Sequence, residues 1–115
     1  MNHIESKIQQ NCVKWFRLQY PKYDKLLFAV PNGGARNKRE AGIMKGEGVT
    51  AGVSDLILLL SRKGYGALCI EMKSPGGRQE KSQKEWQALV EMNGNKYAVC
   101  RSVNEFITQV NEYIL

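Results

Sequence analysis

The longest apolar run in the chain is Leu56-Ile57-Leu58-Leu59-Leu60, bounded by Asp55 on one side and by the turn-forming segment Ser61 to Gly66 on the other. A run this short between turn signals reads as a strand, and a strand apolar on both faces must be covered from both sides. The glycines Gly64 and Gly66 return the chain into a second strand, Ala67 to Lys73, so the pair forms a hairpin. A hairpin covered on both faces belongs at the centre of a sheet with helices around it.

The flanking periodicities supply those helices. Ile4, Ile8, Cys12, Trp15 and Phe16 follow helical spacing, and Pro21 ends that helix by Tyr20. Leu26 to Val30 reads as a short strand and Pro31 to Gly34 as a turn, after which the basic stretch Arg36 to Lys45 has room for a short helix. Beyond the hairpin, Ser74-Pro75-Gly76-Gly77 breaks the sheet. A helix is expected from Lys81 to Asn93, with Trp86, Leu89 and Val90 on one face and Gly94 as its stop. Tyr97 to Cys100 reads as a strand, and Ser102 with Glu105 forms a capping-box signature for a last helix carrying Val103, Phe106, Ile107, Val110 and Ile114. The order αβ(α)ββαβα predicts an α/β fold with a central mixed β-sheet flanked by helices, and residues 1–115 read as a single domain.

Composition narrows the chemistry. Lysine and arginine number 17 against 11 acidic residues, a net charge of +6 that suggests an anionic partner such as nucleic acid. Apolar residues make up 43%, too many for a disordered chain. No apolar run approaches the roughly 20 residues of a membrane span, and Asn2, Glu5 and Lys7 interrupt any signal-peptide core. An intracellular, cytoplasmic protein away from membranes is expected. Cys12, Cys69 and Cys100 offer no C-x-x-C pair and an odd count, which points to reduced, buried thiols. His3 is the only histidine, which removes histidine triads, zincins and histidine-metal nucleases. Carboxylates and lysines must build any active site.

Asp55 opens the apolar strand, while Glu71 and Lys73 sit two apart on the facing strand and so share a face. Depending on whether Leu60 faces Ala67 or Gly66, Asp55 falls opposite Met72 or Glu71. Either register gathers two carboxylates and an ammonium at one end of the sheet. Carboxylates so placed repel unless a cation joins them, and oxygen ligands suit a hard ion such as Mg²⁺, with Mn²⁺ as a substitute. The backbone carbonyl of Met72 can add a ligand. Such an ion polarises a phosphoryl oxygen and lowers the pKa of a bound water, and Lys73 beside it can orient that water or offset charge on the phosphate. The arrangement suits phosphodiester hydrolysis. The same spacing also fits a turn capped by Asp55 beside an edge ion pair between Glu71 and Lys73.

Asp55 followed by Glu71-Met72-Lys73 resembles the D…(D/E)-x-K core of the PD-(D/E)XK nuclease superfamily. More narrowly, the segments 48–56 (GVTAGVSDL), 71–78 (EMKSPGGR) and 83–86 (QKEW) resemble the virus-type replication-repair nuclease (VRR-NUC) domain, and the resemblance runs from Glu5 to the last helix. Ser54 departs from the proline of the superfamily name. The resemblance implies a restriction-endonuclease-like core, metal-ligand roles for Asp55 and Glu71, a catalytic role for Lys73 and supporting roles for Glu5 and Gln83. Glu5, three residues after Asn2, also fits the N3 partner of a helix cap. Gln83 precedes Trp86 by three and Val90 by seven, so it lies on an apolar helix face, where its amide must find a partner in Lys73, a metal-held water or the backbone.

The Gly46 to Gly52 loop fits neither G-x-x-x-x-G-K-[ST] nor G-x-G-x-x-G. Glycines immediately before Asp55, Gly52 among them, suit close approach by a DNA backbone. Arg36, Lys38, Arg39 and Lys45 upstream, with Arg78, Lys81 and Lys84 downstream, flank the carboxylates with positive charge suited to phosphates. Trp15, Trp86, Tyr97 and Phe106 fall on core faces and read as packing. The expected function is a Mg²⁺-dependent, structure-selective DNA endonuclease acting on branched DNA such as four-way (Holliday) junctions. The alternative is a non-catalytic basic nucleic-acid-binding module on the same fold, which the intact Asp55, Glu71 and Lys73 set argues against. An RNA nuclease would share the chemistry, and only the family resemblance selects DNA. One carboxylate cluster makes one cut, so paired cuts at a junction call for a symmetric homodimer. Resemblance to stand-alone members of the family implies the same, and is compatible with a phage-encoded enzyme acting in a bacterial host.

Overall fold

The computed structural model describes residues 1–31 and 37–115; Arg36, one of the expected phosphate contacts, lies outside the described residues. Helix α1 spans His3–Gln19 and opens on a capping box: Asn2 Oδ1 accepts from the Glu5 N–H at 2.8 Å, and Glu5 Oε2 accepts from the Asn2 N–H at 3.3 Å. A 3₁₀ segment, Pro21–Leu26, takes up the start of the expected first strand, which is left as β1, Leu27–Ala29. Helix α2, Lys38–Gly46, then β2, Leu56–Leu58, β3, Leu68–Met72, α3, Lys81–Met92, β4, Lys96–Cys100, and α4, Val103–Ile114, follow in the expected order. Gly94 takes φ +84° just beyond α3, the left-handed turn that ends it. At α4 the capping box is half formed, because Ser102 accepts from the Glu105 N–H while the Glu105 carboxylate takes the N–H of Arg101 instead of that of Ser102.

The strands lie in the order β1-β2-β3-β4, with β1–β2 and β2–β3 antiparallel and β3–β4 parallel. The hairpin strands are central, as their apolar faces require, and the sheet is mixed. Even-numbered residues form the main core: Leu56, Leu58, Leu68, Ile70, Met72 and Cys100 join Phe16 of α1 and Phe106 and Val110 of α4 in one buried cluster. Each such side chain contributes on the order of 1.5–3 kcal/mol by leaving water. Odd-numbered positions of β3 and β4 face the other way, towards α3, where Trp86 meets Tyr97 edge-on at 6.3 Å. Among the aromatics, Trp15 likewise packs edge-on against Phe106 and Tyr20. Leu59 departs from the expectation of a strand covered throughout, being 57% exposed just past the end of β2.

The three cysteines are buried and free. Burial pushes the thiols of Cys12 and Cys100 up to about 12, so neither is a thiolate near neutral pH. Among the described residues no helix is long and apolar enough to cross a membrane. Helix α2, like α3, has no buried residue, and its Lys38, Arg39 and Lys45 are all exposed.

Candidate active site

The register of the hairpin places Leu56 opposite Ile70, which carries Asp55 to the position facing Glu71. Asp55 sits just before β2 and is held from both sides. Its carbonyl accepts from the Val30 N–H at 2.9 Å, and its Oδ2 accepts from the Met72 N–H at 2.7 Å. It therefore does cap backbone, as the simpler reading of the spacing has it, but no Glu71–Lys73 ion pair accompanies it among the described residues. Ser54, in the place of the superfamily's proline, is fully buried and donates to the Leu56 carbonyl at 3.0 Å, so its hydroxyl is satisfied within the chain.

Glu71 is 2% exposed, and its carboxyl group is enclosed by donors. The Tyr97 hydroxyl donates to Oε1 at 3.2 Å, and Gln83 Nε2 donates to Oε2 at 3.3 Å. Burial first, and then the neighbouring Asp55 carboxylate, push the Glu71 carboxyl up to about 9 against the lowering influence of Lys73 and Tyr97. Near neutral pH, without a cation, it holds a proton. Lys73 lies on the same face, 9% exposed, with its backbone N–H on the Cys100 carbonyl at 3.0 Å.

Both helix starts converge on these residues. Gln83 Oε1 accepts the Glu80 N–H at 2.8 Å at the start of α3, which turns its NH₂ group towards Glu71. The amide thus meets the need for a partner at both ends, and the side-chain partner is Glu71, not Lys73. Glu5 also serves twice: one oxygen completes the cap of α1, and Oε1 accepts the Ser74 N–H at 3.2 Å, directly after Lys73. Glu5, Asp55, Glu71, Met72, Lys73 and Gln83 all line one open cavity of about 810 Å³ at the end of the sheet.

Sequence reasoning missed the supporting groups. Tyr97, read as packing, is also a hydrogen-bond donor to Glu71, and burial followed by the Glu71 charge raises its own pKa so that it stays protonated. Gln79 Nε2 reaches Tyr97 Oη at 3.3 Å and Gln87 Oε1 at 3.0 Å. Arg101 Nη1 donates to the carbonyls of Ser74 and Gly77, holding the turn that follows Lys73. The available signal was chemical: a buried glutamate requires donors, and on β4 only tyrosine combines a donor with an apolar body. Placing it needed the parallel pairing that sets Tyr97 beside Cys69, one step along the face from Glu71.

Gly52 lines the cavity and also has a packing role. At φ +86° it lies against the start of α3, where a Cβ would come within 2.2 Å of the Ser82 carbonyl oxygen. The backbone whose close approach the glycine permits is the protein's own, and it seats α3 beside the loop leading to Asp55. Of the basic residues, Lys81 and Lys84 are exposed next to the cavity-lining Ser82 and Gln83, and Lys81 shares a long ion pair of 3.9 Å with Glu85. Arg78 is exposed on the turn before α3. Segments 29–31 and 51–53 line the cavity as well, and Lys38, Arg39 and Lys45 are exposed on α2, which lies between these segments in the chain.

The donor set is all oxygen apart from Lys73. Among the described residues no three His, Cys, Asp or Glu side chains are grouped as a ready cage for an ion. An all-oxygen set of this kind suits a hard cation such as Mg²⁺.

Comparison with known proteins agrees with this geometry. The family model of the VRR-NUC domain matches residues 3–104. A solved structure described as a VRR_NUC domain protein is similar in fold, with a TM-score of 0.85 and 25% sequence identity, covering 99% of this chain and 90% of that one. No curated protein sequence matches.

Proposed function

Since the chain belongs to the VRR-NUC family of nuclease-type domains, we propose that it is a Mg²⁺-dependent DNA endonuclease selective for branched structures. The observation that carries the proposal is the convergence of Glu5, Asp55, Glu71, Lys73 and Gln83 on one cavity at the end of the sheet. Asp55 and Glu71 would hold the ion, with the Met72 carbonyl beside them, and Mn²⁺ would substitute. The bound ion would supply charge for the phosphoryl oxygen and a more acidic water. Glu71, protonated when no cation is present, would give up that proton to serve as a ligand, while the NH₂ of Gln83 and the hydroxyl of Tyr97 keep the carboxylate oriented. Lys73 stands beside them to offset charge that develops on the phosphate as water adds across one P–O bond. The exposed Lys38, Arg39 and Lys45 of α2, with Arg78, Lys81 and Lys84 around the start of α3, suit phosphates of a bound duplex, which gives binding that falls steeply with salt and depends little on sequence.

The reading extends to a symmetric homodimer acting on four-way junctions, because each protomer has one such cavity and a junction requires two cuts. The test is cleavage of linear, flapped, splayed and four-way DNA with Mg²⁺, Mn²⁺ or EDTA, with light scattering on the same sample. Cleavage confined to the metal lanes, a wide excess of junction over linear cutting, and about twice the 13.0 kDa chain mass are expected. Metal-dependent binding without any cutting would make the protein a non-catalytic module, and equal cutting of all substrates by a monomer would make it a non-selective nuclease.

A further inference from the structure

Gln9 lies one turn after Glu5 on α1 and contributes to the lining of the same cavity. Its Oε1 is shut off from solvent and has no hydrogen-bond partner, the only side-chain polar atom so left among the described residues. A buried acceptor without a donor is a standing cost to the fold, and such atoms call for an explanation by what they do. The donors that reach the neighbouring carboxylates are already engaged there. Glu5 takes the Asn2 and Ser74 N–H groups, Asp55 takes that of Met72, and Glu71 takes Tyr97 and Gln83. A DNA backbone brings no donor into this space, since phosphates and deoxyribose ethers only accept. Water around a hard divalent ion does the opposite: its lone pairs face the ion and its hydrogens must find acceptors. The terminal torsion of a glutamine side chain is broad, so turning the amide oxygen into the cavity is a small adjustment.

We infer that Gln9 is a positioning residue of the site, whose amide oxygen accepts a hydrogen bond from the hydration shell of the divalent ion and so steadies the hydrated ion against Glu5, Asp55 and Glu71. The inference rests on the metal-dependent reading above. Its role is one of holding water, and neither the sequence pattern nor the family match assigns it.

The test titrates the full chain with Mg²⁺ by calorimetry in the absence of DNA and follows thermal unfolding in EDTA. Gln9→Met keeps the length and removes the acceptor, so it should weaken ion binding by about 10- to 100-fold. It should also raise the Tm of the metal-free protein by several degrees, because the unpaired oxygen is gone. Gln9→Glu keeps an acceptor and should bind the ion at least as well as wild type. Unchanged affinity in Gln9→Met, or a loss in Gln9→Glu as large as in Gln9→Met, would overturn the inference while leaving the nuclease reading intact. Failure of the wild-type protein itself to bind the ion would overturn both, and is read in the same titration.

Discussion

The two faces of β3 make opposite use of neighbouring residues. On one, Leu68, Ile70 and Met72 join Phe16, Phe106 and Val110 in contacts that involve no charged group. On the other, Cys69 is followed by Glu71 and then Lys73, both nearly as well buried, among an aspartate, a tyrosine and two glutamines. The first face gains free energy from every atom it removes from water. The second holds a carboxyl that is neutral only because burial and Asp55 force it to be, and keeps an unmatched oxygen on Gln9 nearby. A strand rigid on one side is thus what holds an unfavourable arrangement on the other.

The largest separation of the two faces should come from Asp55→Asn, Glu71→Gln and Lys73→Ala, each expected to abolish cleavage while the protein stays folded by circular dichroism. Retained cutting in any of them, or full activity in EDTA, would break the comparison. Glu71 also sets a pH dependence. Its carboxyl is raised on folding, so the metal-free folded state holds a proton that the unfolded chain releases, and stability should fall as pH rises from about 4.5 to about 9. Unfolding in EDTA across that range should show the decline in wild type and a flatter curve in Glu71→Gln. A wild-type curve no steeper than that of the variant would show that burial does not control this carboxyl.

On the core face, Ile70→Ala should cost ~2–5 kcal/mol of stability by denaturant unfolding and leave the rate per folded molecule close to wild type. Equal losses of rate and stability would mean the faces are not separable. Gln83→Ala is expected to lower the rate by roughly 10²-fold with little change in DNA binding, since it removes a polar support of the site. Normal turnover with a lowered Tm would identify a purely structural cap. The smallest effect is expected from Tyr97→Phe, which keeps the ring against Trp86 and removes one donor from Glu71: about a tenfold loss of rate, read against an unchanged Tm.

Much of the molecule was legible in the linear order of residues because the signals are local. A five-residue apolar run between turns sets a buried strand, Pro21 and Gly94 end helices, and Asn2 with Glu5 caps one. Alternation put Glu71 and Lys73 on one face, and of the two registers the spacing allowed, the structure takes the one that sets Asp55 opposite Glu71. What depended on the tertiary structure was everything that meets across long separations. The parallel pairing of β4 with β3 made Tyr97 a partner of Glu71, the seating of α3 gave Gly52 its reason, and the approach of α1 to the turn after Lys73 brought Glu5 and Gln9 to the cavity. Spacing along a chain determines which residues share a face; which faces are brought together is decided by how the elements pack, and the chemistry of this cavity lies between faces that are distant in sequence.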